Sequence, residues 1–170
     1  MENQWLKSIP IEIGQYLTGF ADGEGSFNVS MRKQESGNGW YLDPSFNVSQ
    51  RDVTVLALFK RHLGCGTLRN RKDGVVYYEV RNKTSLYERI LPFFKRFPFL
   101  SATKKKNFLI FKDIVERMHG NVHHSYEGLK EILELRETLN EGRGRKRKYS
   151  IEDLANPKGI LRDYTPDSDT

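Results

Sequence analysis

Cysteine is almost absent from this sequence, because Cys65 is the only one among 170 residues. A single thiol cannot form a disulfide within the chain, and it cannot build a cysteine-rich zinc site. Long apolar runs are absent as well, since no stretch approaches the roughly 18 residues that a membrane span requires. We therefore expect no membrane partner for this chain.

The first residues also lack a targeting pattern. Residues 1–14 have neither the basic start and apolar core of a secretory signal nor the arginine- and serine-rich composition of a transit peptide. We therefore expect an intracellular protein that works in the compartment where it is encoded, whether an organelle, a bacterium or an archaeon. The length predicts one domain.

The charge balance is positive, with 28 Lys and Arg against 22 Asp and Glu, a net charge of +6. A basic balance favours a polyanionic partner, of which nucleic acid is the commonest. This evidence is weak alone, because many soluble proteins are mildly basic. The positions of the charges are more informative, and they include a basic run at residues 143–148 whose alternative interpretation is a solvated tail.

Hydrophobic spacing predicts an alternation of helices and hairpins. Helical periodicity covers residues 10–23, 53–63, 86–94, 107–118 and 128–140, and strand alternation covers residues 27–33, 45–50, 66–71 and 75–81. Ser8 is the predicted cap of the first helix, and Gly23 and Gly25 end it. This order predicts an α+β fold in which four strands form one antiparallel sheet with helices on one face.

The other face of the predicted sheet carries an unusual set of polar side chains. Arginine, asparagine, serine and glutamine dominate it, whereas a merely solvated face would be rich in lysine, glutamate and threonine. Such side chains read base edges and phosphates, and a two-stranded ribbon fits the major groove of DNA. The predicted DNA contacts are Asn28, Ser30, Arg32, Gln34, Ser45, Asn47, Ser49, Arg69, Arg71, Tyr77, Glu79 and Arg81.

Glu24 ends the first predicted helix, where the helix dipole disfavours a carboxylate by about 0.3–1 kcal/mol. It also continues the apolar stripe of Ile13 and Leu17. A nearby cation would stabilise this acid, and the simpler alternative is an exposed side chain in a frayed last turn. Glycine inside a helix costs about 0.5–1 kcal/mol relative to alanine, so Gly19 is explained if another backbone approaches closely there.

Residues 17–27 read Leu-Thr-Gly-Phe-Ala-Asp-Gly-Glu-Gly-Ser-Phe. This segment resembles the signature helix of the LAGLIDADG homing endonucleases, and it occurs once, as in the members that act as homodimers. The predicted αββαββα order is similar to the fold of that family. The resemblance implies an endonuclease domain over residues 1–141, with its motif helix at about 10–23. A basic C-terminal loop and tail would follow at 142–170 and contact DNA in part through Arg145, Lys146 and Lys148.

The resemblance also implies roles for single residues. Glu24 would bind a catalytic Mg²⁺, for which Mn²⁺ could substitute, and the carbonyl of Gly23 would be a second ligand. Gln50 would position water or metal, its alternative being a glutamine in solvent at a strand end. Lys104 would stabilise charge or tune the attacking water, with Lys105 as the alternative in register.

The same resemblance places Leu17, Gly19 and Asp22 at the interface of a homodimer, where Asp22 would cap a helix of the partner. The expected function is a metal-dependent double-strand break in a long pseudo-palindromic DNA target, as in intron homing. An RNA-binding intron maturase and a non-catalytic DNA-binding regulator on the same fold are open alternatives. A metal cluster of His119, His123 and His124 is disfavoured, because no cysteine or acid lies nearby in the sequence.

Overall fold

A computed structural model describes residues 3–35, 39–141 and 147–154 of the chain. The elements are helices α1 (Gln4–Lys7) and α2 (Ile11–Glu24), strands β1 (Gly25–Lys33) and β2 (Trp40–Gln50), helix α3 (Val53–Leu63), and strands β3 (Thr67–Asn70) and β4 (Val76–Val80). Helix α4 (Lys83–Ser85) continues through a π-helical turn (Leu86–Ile90) into α5 (Leu91–Arg96), and α6 (Ala102–His119), a 3-10 turn (Val122–His124), α7 (Tyr126–Thr138) and α8 (Ile151–Leu154) follow.

The four strands form one antiparallel sheet in the order β1-β2-β4-β3. Phe27 on β1 pairs with Phe46 on β2, and Phe46 pairs with Val80 on β4. Alternate side chains of each strand point to the same face, so these residues and their neighbours at every second position line the side covered by helices. The predicted α+β class, with the order αββαββα and an antiparallel four-stranded sheet, is confirmed.

The core lies between this face of the sheet and the helices. Its centre is Phe27, whose ring centroid is 5.2 Å from that of Phe46 and 4.9 Å from that of Phe111 on α6. Phe94 on α5 meets Phe27 edge to face at 5.8 Å. This aromatic cluster packs α5 and α6 against β1 and β2.

Strand β2 is longer than predicted, because it begins at Trp40 rather than at Ser45. The observed strand runs through Pro44, which cannot donate a ladder hydrogen bond. Pro44 pairs with Val29 of β1, and β4 joins β2 only from Phe46 onward. The proline therefore lies where β2 has one neighbouring strand, which is a position that tolerates it.

Other helix boundaries differ from the predictions for local reasons. Ser8 does not cap α2, since its hydroxyl donates to the carbonyl of Trp5 at 2.7 Å and closes the unpredicted helix α1. Pro10 precedes α2 without any side-chain cap. Helix α6 begins five residues earlier than predicted, at Ala102, because Ser101 caps it by accepting a hydrogen bond from the backbone of Lys104.

Part of the predicted tail packs on the domain. Leu154 of α8 is buried, and the Trp40 and Tyr149 rings meet with centroids 4.9 Å apart. Leu154 and Tyr149, which lie beyond the predicted boundary at residue 141, therefore pack against the rest of the chain. Within the described ranges, no helix combines the length and the apolar character that crossing a membrane requires.

Candidate active site and nucleic-acid interface

The last helical residue of α2 is Glu24, and β1 begins at the next residue, Gly25. A Cβ atom on Gly25 would lie 2.5 Å from the carbonyl oxygen of Ala21, so only glycine permits this direct passage from helix to strand. Glu24 is exposed, and within the described part of the chain its carboxylate has no hydrogen-bond or salt-bridge partner. The junction thus holds an acid at a fixed place at the end of the sheet.

Lys104 lies beside this acid. Its Nζ atom donates a hydrogen bond to the carbonyl of Gly25, although the two residues are 79 positions apart in the sequence. Burial lowers the pKa of Lys104, and the negative charges of Asp22 and Glu24 oppose this by raising it. The structure therefore brings Lys104 close to Glu24, whereas Lys105 is exposed.

Gln50 is the last residue of β2, two positions beyond the Gly25–Val48 pair of the ladder. A strand rises about 3.4 Å per residue, so the Gln50 backbone lies at the same end of the sheet as Glu24. Its side-chain oxygen accepts a hydrogen bond from the backbone of Arg51 at 2.8 Å. In the isolated chain this amide oxygen is thus held at the strand end, close to the junction.

Asp22 makes a contact within its own chain that the sequence did not predict. Its Oδ2 atom accepts a hydrogen bond from the backbone of Ser101 at 3.1 Å, and its Oδ1 atom accepts one from the Ser101 hydroxyl. Ser101 is the residue that caps α6. Asp22 therefore braces the start of α6 in its own chain, and α6 is the helix that carries Lys104.

The oxygen atoms at this junction supply some of the ligands that a hard divalent cation requires. The Glu24 carboxylate and the carbonyl of Gly23, in the last helical turn where carbonyls lack intrahelical partners, are such ligands. Among the residues that the structure describes, no group of three His, Cys, Asp or Glu side chains could hold a metal ion. The donor set of one chain thus fits Mg²⁺, which keeps several waters and binds phosphate alongside one or two carboxylates.

One face of α2 is uncovered, and we call it the open face (Ile11, Tyr16, Gly19 and Gly23). The side chains of Ile11 and Tyr16 are 58% and 54% exposed. A Cβ atom added to Gly19 or Gly23 would meet nothing within 4 Å, so no contact within the described chain explains these glycines. Leu17, by contrast, is fully buried in the core of its own chain, which corrects its predicted place at a dimer interface.

The sheet face away from the helices, which we call the polar face, carries most of the predicted DNA contacts. The side chains of Arg32, Arg69, Arg71 and Arg81 are all half exposed or more. Arg71 lies in the β3–β4 turn and Arg81 directly after β4. Ser45 lies on this face too, yet it is 8% exposed, so its neighbours shield its hydroxyl. The other predicted residues here are Asn28, Ser30, Gln34, Asn47, Ser49, Tyr77 and Glu79.

Sequence reasoning missed Tyr41 and Asp43 on the polar face, because it began β2 too late. Asp43 Oδ2 accepts a hydrogen bond from Arg32 Nε at 2.6 Å and lies 3.7 Å from Arg81. The Arg32 guanidinium stacks 5.1 Å above the Tyr41 ring. The alternation of apolar and polar residues from Trp40 to Asp43 was the available signal. The face therefore carries two acids, Asp43 and Glu79, rather than one.

The basic run near the C-terminal end divides into parts. Arg145 and Lys146 lie outside the described residues. Lys148 is exposed, with its Nζ atom 5.3 Å from the Tyr149 ring centroid. Arg147 donates hydrogen bonds to the carbonyls of Arg136 at 2.7 Å and Leu139 at 2.8 Å. Arg147 therefore closes the C-terminal end of α7 instead of facing a phosphate.

The three histidines do not converge. The His119 ring stacks on Tyr87 with centroids 3.8 Å apart, whereas His123 is buried with its ring 4.3 Å from that of His124. Burial, assisted by the nearby charges of Lys83 and His124, lowers the pKa of His123 to about 4. These contacts give the histidines packing roles in the helical layer.

Comparison with known proteins adds a family assignment to this geometry. Residues 17–115 match the LAGLIDADG endonuclease family. The chain is 33% identical over 85% of its length to probable intron-encoded endonuclease 2 of Neurospora crassa, and 31% identical over 67% of its length to DNA endonuclease I-CeuI of Chlamydomonas moewusii. It spans 33% and 56% of the lengths of these curated relatives.

The chain covers a larger share of one solved structure than of these curated relatives. The archaeal intron-encoded homing endonuclease I-Vdi141I, complexed with DNA, superposes with a TM-score of 0.76 at 30% identity. The match covers 83% of this chain and 91% of that one. The fold described above thus has a counterpart in a homing endonuclease whose structure was solved in complex with DNA.

Proposed function

The chain belongs to the LAGLIDADG endonuclease family, and we propose that it is a homing endonuclease that cuts both strands of a long DNA target as an Mg²⁺-dependent homodimer. One observation carries the proposal: an exposed carboxylate, Glu24, is fixed beside the half-buried Lys104 at the end of a sheet face lined with arginine. Exposed acids are common, but an acid with a half-buried lysine from a distant helix beside it is typical of a catalytic centre.

Each chain would contribute a small set of groups to the reaction. Glu24 and the Gly23 carbonyl would hold Mg²⁺, which supplies a polarised phosphate, an activated water and a stabilised leaving oxygen. Lys104 places its positive charge where the phosphorane gains negative charge. The side chain of Gln50 would give up its hydrogen bond from the Arg51 backbone and orient the attacking water instead. Asp22 keeps α6, and with it Lys104, at a fixed distance from α2.

The open face of α2 supports assembly into a homodimer. Two glycines that no other described residue approaches and two exposed apolar side chains lie on one side of the helix that carries Glu24. A second copy that packed there would cover Ile11 and Tyr16 and bring two Glu24 carboxylates near the two-fold axis. Each carboxylate would then serve one DNA strand. A two-fold protein reads a pseudo-palindromic target with two half-sites.

The polar face supports binding to double-stranded DNA. Four arginines project from it, and arginine reads guanine and phosphate through paired N–H donors. The acids on this face bind the arginines rather than stand alone. A twisted antiparallel ribbon of this kind enters the major groove.

A selection experiment tests the proposal. Purified protein is incubated with a random DNA library and Mg²⁺, and the cleaved sites are sequenced, which reports activity, target and symmetry together. Glu24→Gln is expected to bind the selected site with near wild-type affinity and to lose cleavage. Glu134→Gln, which removes an exposed acid of α7, is the matched control and should cleave normally.

Several results would contradict the proposal. Cleavage by Glu24→Gln at the wild-type rate would remove this residue from the active site. Site-specific binding by wild-type protein without cleavage would indicate a DNA-binding regulator. Preferential binding to intron RNA would indicate a maturase.

A further inference from the structure

Asp43 lies between two arginines on the polar face. It occupies the middle of β2, opposite Ser30 of β1, with Arg32 diagonally across on one side. Arg81 follows β4 on the other side, one position beyond the Phe46–Val80 pair. Asp43 Oδ2 is 2.6 Å from Arg32 Nε and 3.7 Å from a terminal nitrogen of Arg81. One carboxylate oxygen therefore joins guanidinium groups from the strands on both sides.

An acid at this position is unfavourable for simple attraction to DNA, because it repels phosphates. Asp43 is also less accessible than its partners, at 22% side-chain exposure against 61% for Arg32 and 50% for Arg81. Two arginines side by side would repel each other without it, and each long side chain would sample several rotamers, at about 2 kcal/mol of conformational entropy to fix. The carboxylate offsets both effects before DNA arrives.

The contacts also set how Arg32 is presented. Asp43 accepts the Nε–H, which is one of the five N–H donors of a guanidinium, and the Tyr41 ring supports its flat face at 5.1 Å. Tyr41 is itself fixed by a hydrogen bond from Gln34 at 2.7 Å. A guanidinium that is engaged through Nε and one face would meet a base through its terminal nitrogens, which is how arginine pairs with O6 and N7 of guanine.

We propose that Asp43 is a positioning residue for base recognition, which fixes Arg32 and Arg81 so that each reads a guanine in the major groove of a half-site. This inference rests on the proposed function, since it needs the polar face to meet DNA. It assigns to Asp43 an effect on specificity rather than on overall affinity. A side chain that is already fixed in one rotamer loses less conformational entropy on binding, and it can pair with fewer alternative bases.

The test compares Asp43→Asn with wild-type protein on the selected target and on variants changed at single base pairs. Because a bidentate arginine–guanine pair supplies about 1–3 kcal/mol of discrimination, we expect discrimination at the affected base pairs to fall about tenfold. Affinity for unrelated DNA should rise, since the variant gains one net positive charge. Asp113→Asn is the matched control, because it makes the same charge change on α6, where Asp113 binds Arg117 at 2.8 Å.

Variants of the arginines decide between positioning and direct contact. Arg32→Lys keeps the charge without the guanidinium, and it should lose discrimination at one of the base pairs affected by Asp43→Asn. In an Arg32→Ala, Arg81→Ala background, Asp43→Asn should change discrimination no further. An effect that persists there would mean that Asp43 accepts a hydrogen bond from a base itself, for example from cytosine N4, and would overturn the positioning role.

The outcomes separate this inference from the proposed function. If wild-type protein selects a DNA site and Asp43→Asn keeps full discrimination, only the positioning role of Asp43 is wrong. If wild-type protein selects no site, the proposed function fails and this inference fails with it. A loss of specific and non-specific affinity together, with a lowered melting temperature, would show a structural role and would also overturn the inference.

Discussion

Gly19→Ala adds one methyl group to the open face of α2. We expect this change to stabilise an isolated chain and to weaken a dimer. Among the residues that the structure describes, nothing lies within 4 Å of the new atom. Alanine stabilises a helix interior by about 0.5–1 kcal/mol relative to glycine. A domain of this size would then melt about 1–4 °C higher, because each kcal/mol corresponds to about 2–4 °C.

A close partner helix at Gly19 reverses the result. Overpacking a tight contact costs about 1–3 kcal/mol, and a homodimer contains the substitution twice, so the association free energy weakens by about 2–6 kcal/mol. The lower limit corresponds to about a 30-fold higher dissociation constant of the dimer. We therefore predict weaker dimers and slower cleavage at low protein concentration.

Sedimentation velocity across a concentration series measures this dissociation constant, and thermal melts at the same concentrations measure stability. Gly14→Ala is the control, because its new methyl group would overlap the Phe97 ring within the chain. It should lower the melting temperature at all concentrations, since it damages the fold itself. A Gly19→Ala protein with an unchanged dimer and a higher melting temperature would refute the packing of two motif helices at Gly19.

Two further predictions concern the helical layer and the polar face. Folding lowers the pKa of His123 from 6.5 to about 4. Between these pH values the unfolded chain therefore binds more protons than the folded chain. The free energy of unfolding should decrease by about 3 kcal/mol as the pH falls through this range. Urea unfolding at pH 7 and pH 4.5 should show that this pH-dependent decrease is lost in His123→Leu and kept in His119→Leu. An equal decrease in the wild-type protein and in His123→Leu would show that His123 is not its source. Arg69→Ala should cost about 1–3 kcal/mol at particular base pairs, measured by competition binding, whereas a uniform loss on all sequences would make Arg69 a phosphate contact.

Local patterns predicted the elements that carry the site. Alternating side chains around Phe27 and Phe46 predicted β1 and part of β2, and the glycine-rich segment before Glu24 predicted where α2 ends. The family resemblance then placed Lys104 near Glu24. The strands and the helix end depend on residues that are close together in the sequence. The position of Lys104 was predicted from a motif that is characteristic of one fold.

Contacts between distant residues could not be predicted in this way. No local pattern indicates that Asp22 binds Ser101, because the two residues lie 79 positions apart. Arg136 is buried and donates to the carbonyl of Val29 at 2.7 Å, across 107 positions. The apolar stripe that contains Leu17 showed that α2 has a covered side, but the covering element, the chain's own core, became evident only from the fold.

Asp43 shows how one boundary error propagates. Beginning β2 at Ser45 left Tyr41 and Asp43 out of the predicted polar face, and the face then seemed to contain a single acid. The ladder pairs Arg32 with Tyr41 and Ser30 with Asp43. With those pairs in place, the arginines form part of a network of held side chains rather than a set of independent contacts.

The central claim is that Glu24 acts as one of a symmetry-related pair, with each chain serving one DNA strand. Mixed dimers of wild-type and Glu24→Gln chains, isolated through two different affinity tags, test it on a supercoiled plasmid that carries the selected target. We predict that mixed dimers nick one strand and accumulate open circles, while wild-type dimers produce linear plasmid. Linear product from mixed dimers at the wild-type rate, or double-strand cleavage by a monomer, would contradict the claim.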